Sequence, residues 1–320
     1  MCLQTSLTLT SEIMKIALAG AGQVGLCLAT EFCKSEDEVV VLTGSIKPSL
    51  GRLNAEIRLT DYSVDDLKRK LDDCDAVVST LSGPNEFYIS AHSNILEACS
   101  QSRRCKHFIP SEWNINLEDF PDQPMFSTAT HEVVRNKLRS QHGVKWTMIC
   151  HGWFMEYVLP GEKNPLREVG LAWAMNHSTK VFDMYADGLQ KVTLTSTADT
   201  ARAVLAVLRD SIDNCADLPP VTLLAGQTLT YRELFQLIKS RDPAWKSNTV
   251  AFSEVLGDIF EGLKANDPGV AFHQMRILGF TNANHNPNGK ALNWGIGPLK
   301  ELRATTVEEF LDQVEAGKGK

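Results

Sequence analysis

Three observations predict an α/β fold with a doubly wound parallel sheet for this chain. Apolar runs of strand length alternate with stretches of helical spacing through the first half. The first run ends in glycines, in "KIALAGAGQVGLCLATEF" (residues 15–32). The 320 residues, 43% hydrophobic and 22% charged, suffice for one large α/β domain or two modest ones.

Residues 15–20 form a short buried strand, and residues 24–32 follow with helical spacing. "EVVVLTG" (38–44) is a second strand and "AEIRLTD" (55–61) a shorter third. "SVDDLKRKLDDC" is a helix with Ser63 as N-cap and Asp66 three residues on, a weak capping box. "DAVVSTLSG" (75–83) is the fourth strand, with a helix over 88–100. "CKHFIPSEW" and "KWTMICHGW" supply strands five and six, separated by a helix near 130–141. After Tyr157 the pattern loosens. "TKVFDMYADG" and "QKVTLTS" suggest short strands, "TADTARAVLAVLRD" a helix capped near Thr197, and "QTLTYRELFQLIKS" a helix led by Thr230. Weak helices punctuated by proline, glycine and asparagine fill 242–298, and "TTVEEFLDQV" closes the chain.

The totals exclude several function classes. A formal net charge of -7, with no basic patch interleaved with aromatics, argues against nucleic acid as a partner. The eight cysteines (2, 27, 33, 74, 99, 105, 150 and 215) are scattered without metal-ligand spacing, so no metal is expected. They fit reduced thiols of a cytoplasmic protein. There is no apolar run of membrane length, and "MCLQTSLTLTSEI" lacks the basic start of a signal peptide.

Gly20, Gly22 and Gly25 form a G-x-G-x-x-G where a strand turns into a helix. Gly20 would permit the tight turn and Gly22 a close approach of backbone to a pyrophosphate. Gly25 would let helix and strand pack closely, and the amides at Gln23 and Val24 would face the phosphates. The end of the second strand, "VLTGSIKPS", has no carboxylate before Glu56 to hold a ribose 2′-hydroxyl. Thr43, Ser45 and Lys47 stand there instead and would favour a 2′-phosphate, hence NADP(H). Leu81, at the end of strand four, completes the cofactor set. The expected organisation is a disordered leader (1–13), a Rossmann-type nucleotide-binding domain (14–157) and a smaller C-terminal substrate lobe (158–320). That lobe is expected to pack on the first, with some elements returning to the sheet.

"HFIPSEWNINLEDFPDQP" (107–124) and "VVRNKLRSQHGVKWTMICHGWFMEYVLP" (133–160) resemble the NmrA-like and isoflavone-reductase-like family of atypical short-chain dehydrogenases. The matching elements are a strand end at 108–113, a G-x-x-x-T at 143–147 and a G-x-F at 152–154. With the glycine loop and "LTYRELFQLI" the resemblance covers roughly 14–240. It implies a Rossmann-type domain with a substrate lobe, NADPH, and reduction of enones, benzylic ethers or ketones. It leaves monomer and homodimer both open. Two departures stand out: the glycine loop is one residue shorter than the family's usual form, and Gly44 stands where many members carry arginine.

A third departure concerns the chemistry. The family's reductases place a lysine, acting as general acid, four residues before the arginine of a "VR" pair. Here that position is His131, or Glu132 by an ungapped count from Gly143. Lys137 lies six residues beyond His131, about 240° around a helix. None of the five tyrosines is followed by lysine at the Tyr-x-x-x-Lys spacing of ordinary short-chain dehydrogenases. Three readings stay open: His131 replaces the lysine, the site performs a redox-neutral isomerisation or cyclisation, or the chain is an NADP-binding regulator. His151, where strand six ends, is a second catalytic candidate, assisting or orienting. Trp153, Phe154 and Tyr157, with Ser111 and Trp113 across the cleft, would wall an apolar pocket for a small aromatic or polyketide-like substrate. Glu112 is expected to be structural.

Overall fold

In the computed structural model, residues 13–317 are described apart from 84 and 114. The expected leader, but for Ile13, lies outside the described residues. The first half runs β1 (Lys15–Ala19), α1 (Gln23–Phe32), β2 (Glu38–Thr43), β3 (Glu56–Leu59), α2 (Val64–Lys70), β4 (Ala76–Ser79), α3 (Asn85–Gln101), β5 (His107–Ile109), α4 (His131–Arg139) and β6 (Lys145–Trp146). These six strands are parallel, in the order β3-β2-β1-β4-β5-β6. The strand order reverses between β1 and β4, where open α/β sheets bind ligands at their carboxyl ends.

The second half runs β7 (Met148–Cys150), β8 (Trp153–Phe154), β9 (Met175–Asn176), β10 (Val181–Tyr185), β11 (Lys191–Thr195), α5 (Thr197–Asp213), β12 (Val221–Leu223), β13 (Gln227–Thr230), α6 (Tyr231–Arg241), β14 (Lys246–Val250), α7 (Phe252–Ala265), α8 (Val270–Arg276) and α9 (Val307–Glu315). Two small sheets, β14-β10-β9 and β13-β11-β8, build the second lobe. No helix among the described residues is long and apolar enough to cross a membrane.

β1 shows why this sequence makes a central strand. Ile16 and Leu18 point into a core with Leu28 of α1 and Val204 and Leu208 of α5. Ala17 and Ala19 point the other way, against Leu67 of α2 and Ile95 of α3. A strand buried on both faces is therefore a continuous apolar run rather than an alternating one. Helix α5 comes from the second half of the chain, so the two halves share a core.

Strand six differs from expectation. "KWTMICHGW" is broken into β6, β7 and β8 rather than forming one strand. Buried Thr147 interrupts it by pairing its hydroxyl with that of Thr222 at 2.8 Å, and β7 then pairs with β12. Gly152 makes the second break at φ +74, and an added Cβ would sit 2.2 Å from the Thr193 carbonyl oxygen. That turn carries the chain out of the first lobe into the sheet of β8 and β11. The N-cap of α5 is Ser196, one residue before the expected Thr197, because the Ser196 hydroxyl accepts from the Asp199 amide. Ser63 caps α2 as expected, and Thr230 and Thr306 form full capping boxes with Glu233 and Glu309.

The glycine loop divides its work as the spacing implies. Gly20 adopts φ +110. A Cβ on Gly25 would lie 2.2 Å from the Gly20 carbonyl oxygen, whereas one on Gly22 would meet nothing within 4 Å. Gly25→Ala is accordingly expected to lower stability by about 1–3 kcal/mol through overpacking. Gly22→Ala should stay within about 0.5 kcal/mol of wild type while weakening nucleotide binding. Urea unfolding and NADPH titration of the two variants separate these effects.

Candidate active site

Two cavities meet at the glycine loop. The first, about 850 Å³, runs along the carboxyl ends of β1, β2 and β3 and is lined by Gly20, Gly22, Thr43, Ser45, Lys47, Leu81 and others. The Lys47 ammonium donates to the Ala21 carbonyl at 3.0 Å and so reaches across from the turn after β2 to the glycine loop. Thr43 is buried and its hydroxyl donates to the Ser45 carbonyl at 2.9 Å, which shapes that turn. The N-cap residue of α1, Gly22, offers no side chain to the first amides of the helix. Those amides, the open space at Gly22 and the cation of Lys47 together fit the phosphates of a dinucleotide.

The second cavity, about 570 Å³, shares Gly22, Thr80, Leu81 and Ser82 with the first. It contains Gln23, Val24, Ser111, Trp113, His131, His151, Trp153, Phe154 and Tyr157 in its wall. His131 begins α4, and its Nδ1 lies 3.0 Å from Oε2 of Glu112, at the end of β5. Glu112 is buried and also accepts from Arg135 Nε at 3.1 Å and Nη2 at 2.7 Å. Burial alone would raise the Glu112 pKa. The hydrogen bond and charge of His131 and the guanidinium of Arg135 overcome that and hold it at about 2. An ionised carboxylate can only accept, so the Nδ1 facing it carries a proton. Tyr88 supports the other side, its ring 4.2 Å from that of His131 and its hydroxyl donating to the Ser111 carbonyl at 3.0 Å.

His151 stands deeper. It is 1% exposed, stacks on Phe154 at 3.8 Å, and burial holds its pKa at about 3. At neutral pH its ring is uncharged, so it carries no spare proton to donate as an imidazolium. The orienting role foreseen for it is the one compatible with this environment. Trp153 is held by a hydrogen bond from its Nε1 to Asn284 Oδ1 at 3.0 Å, and Trp113 by one from its Nε1 to the Ser79 carbonyl at 2.8 Å.

The structure thus gathers every foreseen pocket residue around one cavity. Gly25 lies beneath the loop as a packing position and lines neither cavity. Lys137 donates to Ser93 on α3 at 2.8 Å, away from the cavity, as its helical angle implies. Other features escaped the sequence. Asp61 and Asp66, beyond β3, reach the cofactor cleft although no carboxylate ends β2. Phe126 in the turn Met125–Ala129 and Phe272 and Met275 on α8 close the outer side of the substrate cavity. Nothing in local pattern marks these, since they meet only through packing between lobes. The pairing of Arg135 with Glu112, 23 residues away in sequence, likewise leaves no local mark. The segment 284–289 ties the halves of the chain together: Asn286 Nδ2 donates to the carbonyls of Cys150 (2.8 Å) and Leu224 (2.7 Å).

A doubly wound sheet with a cleft at its glycine loop, opening onto a second, aromatic-walled cavity, is the architecture of a nucleotide-binding fold. A family model described as NAD(P)H-binding matches residues 19–211, and the chain belongs to that family. It is 31% identical over 228 residues to oxidoreductase swnR of Arthroderma benhamiae, covering 71% of this chain and 74% of that protein. The fold is that of the isoflavone-reductase-like proteins. An isoflavone reductase structure aligns with TM-score 0.69 at 19% identity, covering 95% of this chain and 100% of the other. AtPrR2, solved with NADP+ and (+)-pinoresinol, aligns with TM-score 0.71 at 17% identity over 94% and 98% of the two chains. The protein is therefore an NAD(P)H-dependent oxidoreductase.

One group near the cavity titrates in an accessible range. Glu156, in the turn Met155–Val158 that also carries Tyr157, is buried and accepts from the Thr197 amide (2.9 Å) and hydroxyl (2.6 Å). Burial raises its pKa to about 7. Between the unfolded value, roughly 4.5, and 7 the native state binds more protons than the unfolded state. Stability is then fullest below the lower value and is lost as pH rises through the upper one, by on the order of 3 kcal/mol. Glu156→Gln should flatten this loss in urea unfolding between pH 5 and 8, roughly the window those two values define.

Proposed function

We propose that the protein is an NADPH-dependent reductase of a small, largely apolar secondary metabolite, aromatic or polyketide-like, with His131 as its proton donor. The observation that carries this reading is the Glu112–His131 pair at the wall of a cavity continuous with the dinucleotide cleft. A bound reduced nicotinamide supplies a hydride. The chain's residues do the rest. The aromatic wall of Trp113, Trp153, Phe154 and Tyr157 excludes water and holds an apolar ring. His131 presents Nε2 to the substrate atom that gains charge and delivers its proton there. Glu112 orients the ring through its contact with Nδ1, in the manner of a carboxylate behind a catalytic histidine. His131 thus takes the part that a lysine plays in the reductases this chain resembles.

The preference for NADPH over NADH is supported by Lys47 beside the glycine loop and by the absence of a carboxylate at the end of β2. Asp61 and Asp66 stand on the far side, after β3, where Asp61 accepts from the Ser63 amide and Asp66 pairs with Arg69.

Two measurements test the reading. With a panel of aryl ketones, enones and quinones, NADPH oxidation at 340 nm should accompany product. His131→Ala should lower turnover about 10²–10⁴-fold with NADPH affinity nearly unchanged. Product without NADPH oxidation would identify a redox-neutral enzyme, and unaltered turnover of the variant would remove His131 from the mechanism. For the cofactor, NADP+ should bind more tightly than NAD+ by calorimetry, and Lys47→Glu should narrow or reverse that gap. Equal affinities in the wild type would end the assignment.

A further inference from the structure

The second cavity runs against the charge of the molecule that contains it. The chain has a formal net charge of -7, yet its wall here sets Arg135, Arg167 and His131 against a single carboxylate, Glu112. That carboxylate is fully engaged, by Arg135 and by His131. Arg135 is buried, and its remaining terminal nitrogen donates to the Pro121 carbonyl at 3.0 Å. Arg167 is the exception. It is exposed, and its guanidinium makes no ion pair or hydrogen bond among the described residues. One positive charge is therefore left uncompensated in an otherwise aromatic wall, and a cleft of that kind concentrates anions.

The chain holds Arg167 at this wall and turns a neighbouring acid elsewhere. Asn164 Oδ1 accepts from the Leu166 amide at 2.9 Å, and Leu166 is buried. Leu166 and Val169, on either side of Arg167, line the same cavity. The turn that follows, Gly170–Ala172, packs on α8, which brings Phe272 and Met275 to that cavity. Glu168, the next residue, folds back over Gly161, where an added Cβ would lie 2.6 Å from its Oε1. Arg167 does not line the first cavity, where Lys47 and the glycine loop stand. We propose that Arg167 binds a carboxylate carried by the substrate, so that the cavity takes small apolar acids in preference to their neutral counterparts. A guanidinium presents two parallel N–H donors that match the two oxygens of a planar carboxylate. With no lysine in this wall, a single unpaired cation balances a monoanion better than a phosphate dianion. The inference rests on the reductase reading for the word substrate, and its test does not depend on turnover.

The probes are 2-naphthoate and the uncharged 2-naphthamide, titrated by calorimetry into the NADP+-loaded full-length protein. Naphthoate should bind roughly tenfold more tightly, the low end for a hydrogen bond to a charged group. Added salt should weaken naphthoate and leave naphthamide unaffected. In Arg167→Gln the two probes should bind alike, with the affinities for naphthamide and NADP+ unchanged, and Arg167→Lys should restore part of the preference. Equal binding to wild type, or no saturable naphthoate binding, would overturn the proposal. A preference that survives in Arg167→Gln would do the same, by placing the anion elsewhere. Loss of NADP+ affinity in that variant would assign Arg167 to the cofactor instead. The wild-type comparison and its salt dependence stand even if the variants do not fold. A protein that shows the preference but never oxidises NADPH would refute the reductase reading alone.

Discussion

The buried carboxylate of Glu112 is the constraint on which the catalytic half of this molecule depends. It sits at the end of β5 and joins that strand to α4 through both nitrogens that Arg135 offers it, while a third Arg135 nitrogen donates to the Pro121 carbonyl at 3.0 Å. Breaking a buried pair of this kind costs about 3–5 kcal/mol, because the remaining charge is left without water or partner. The pair therefore fixes where α4 begins. Since His131 is the first residue of α4 and bonds to the same carboxylate, the interaction that anchors the helix also aims the imidazole. One buried carboxylate thus ties strand end, helix and imidazole together.

The substrate cavity has a second dependence, on the segment from Thr281 to Asn286 that crosses between the lobes. Asn284 accepts from Trp153 and donates to the Tyr231 hydroxyl at 3.0 Å, and the Ala283 carbonyl accepts from the Asn116 amide at 2.9 Å. Asn286 meanwhile bonds the carbonyl of Cys150, one residue before His151. Trp153 and the turn at Gly152 are thus set from the C-terminal side, and His151 inherits its fixed place from them. An apolar cavity with two differently used imidazoles results. One is paired with a buried carboxylate, and the other is stacked on Phe154 and held uncharged by burial.

Much of the fold was legible because it follows from local periodicity. Continuous apolar runs marked β1, β2 and β4, since strands buried on both faces cannot alternate. A hydroxyl residue followed three positions later by a carboxylate marked the start of α2, and Thr230 marked that of α6. Strand six was misread as one element, because the residues that break it, Thr147 and Gly152, do so through partners at Thr222 and Thr193 that lie far along the chain.

By itself the sequence determined that a dinucleotide loop exists and that the sheet is parallel. Those features depend on spacing within a dozen residues, and backbone sterics and helix geometry act at that range. Only the tertiary structure decided what surrounds each histidine. Glu112 and His131 are 19 residues apart, yet they share one hydrogen bond. His92 and His151 are alike in sequence terms, and one is satisfied where the other is not. The role of a buried polar group is set by which partners packing brings to it, and that information belongs to no local stretch of chain.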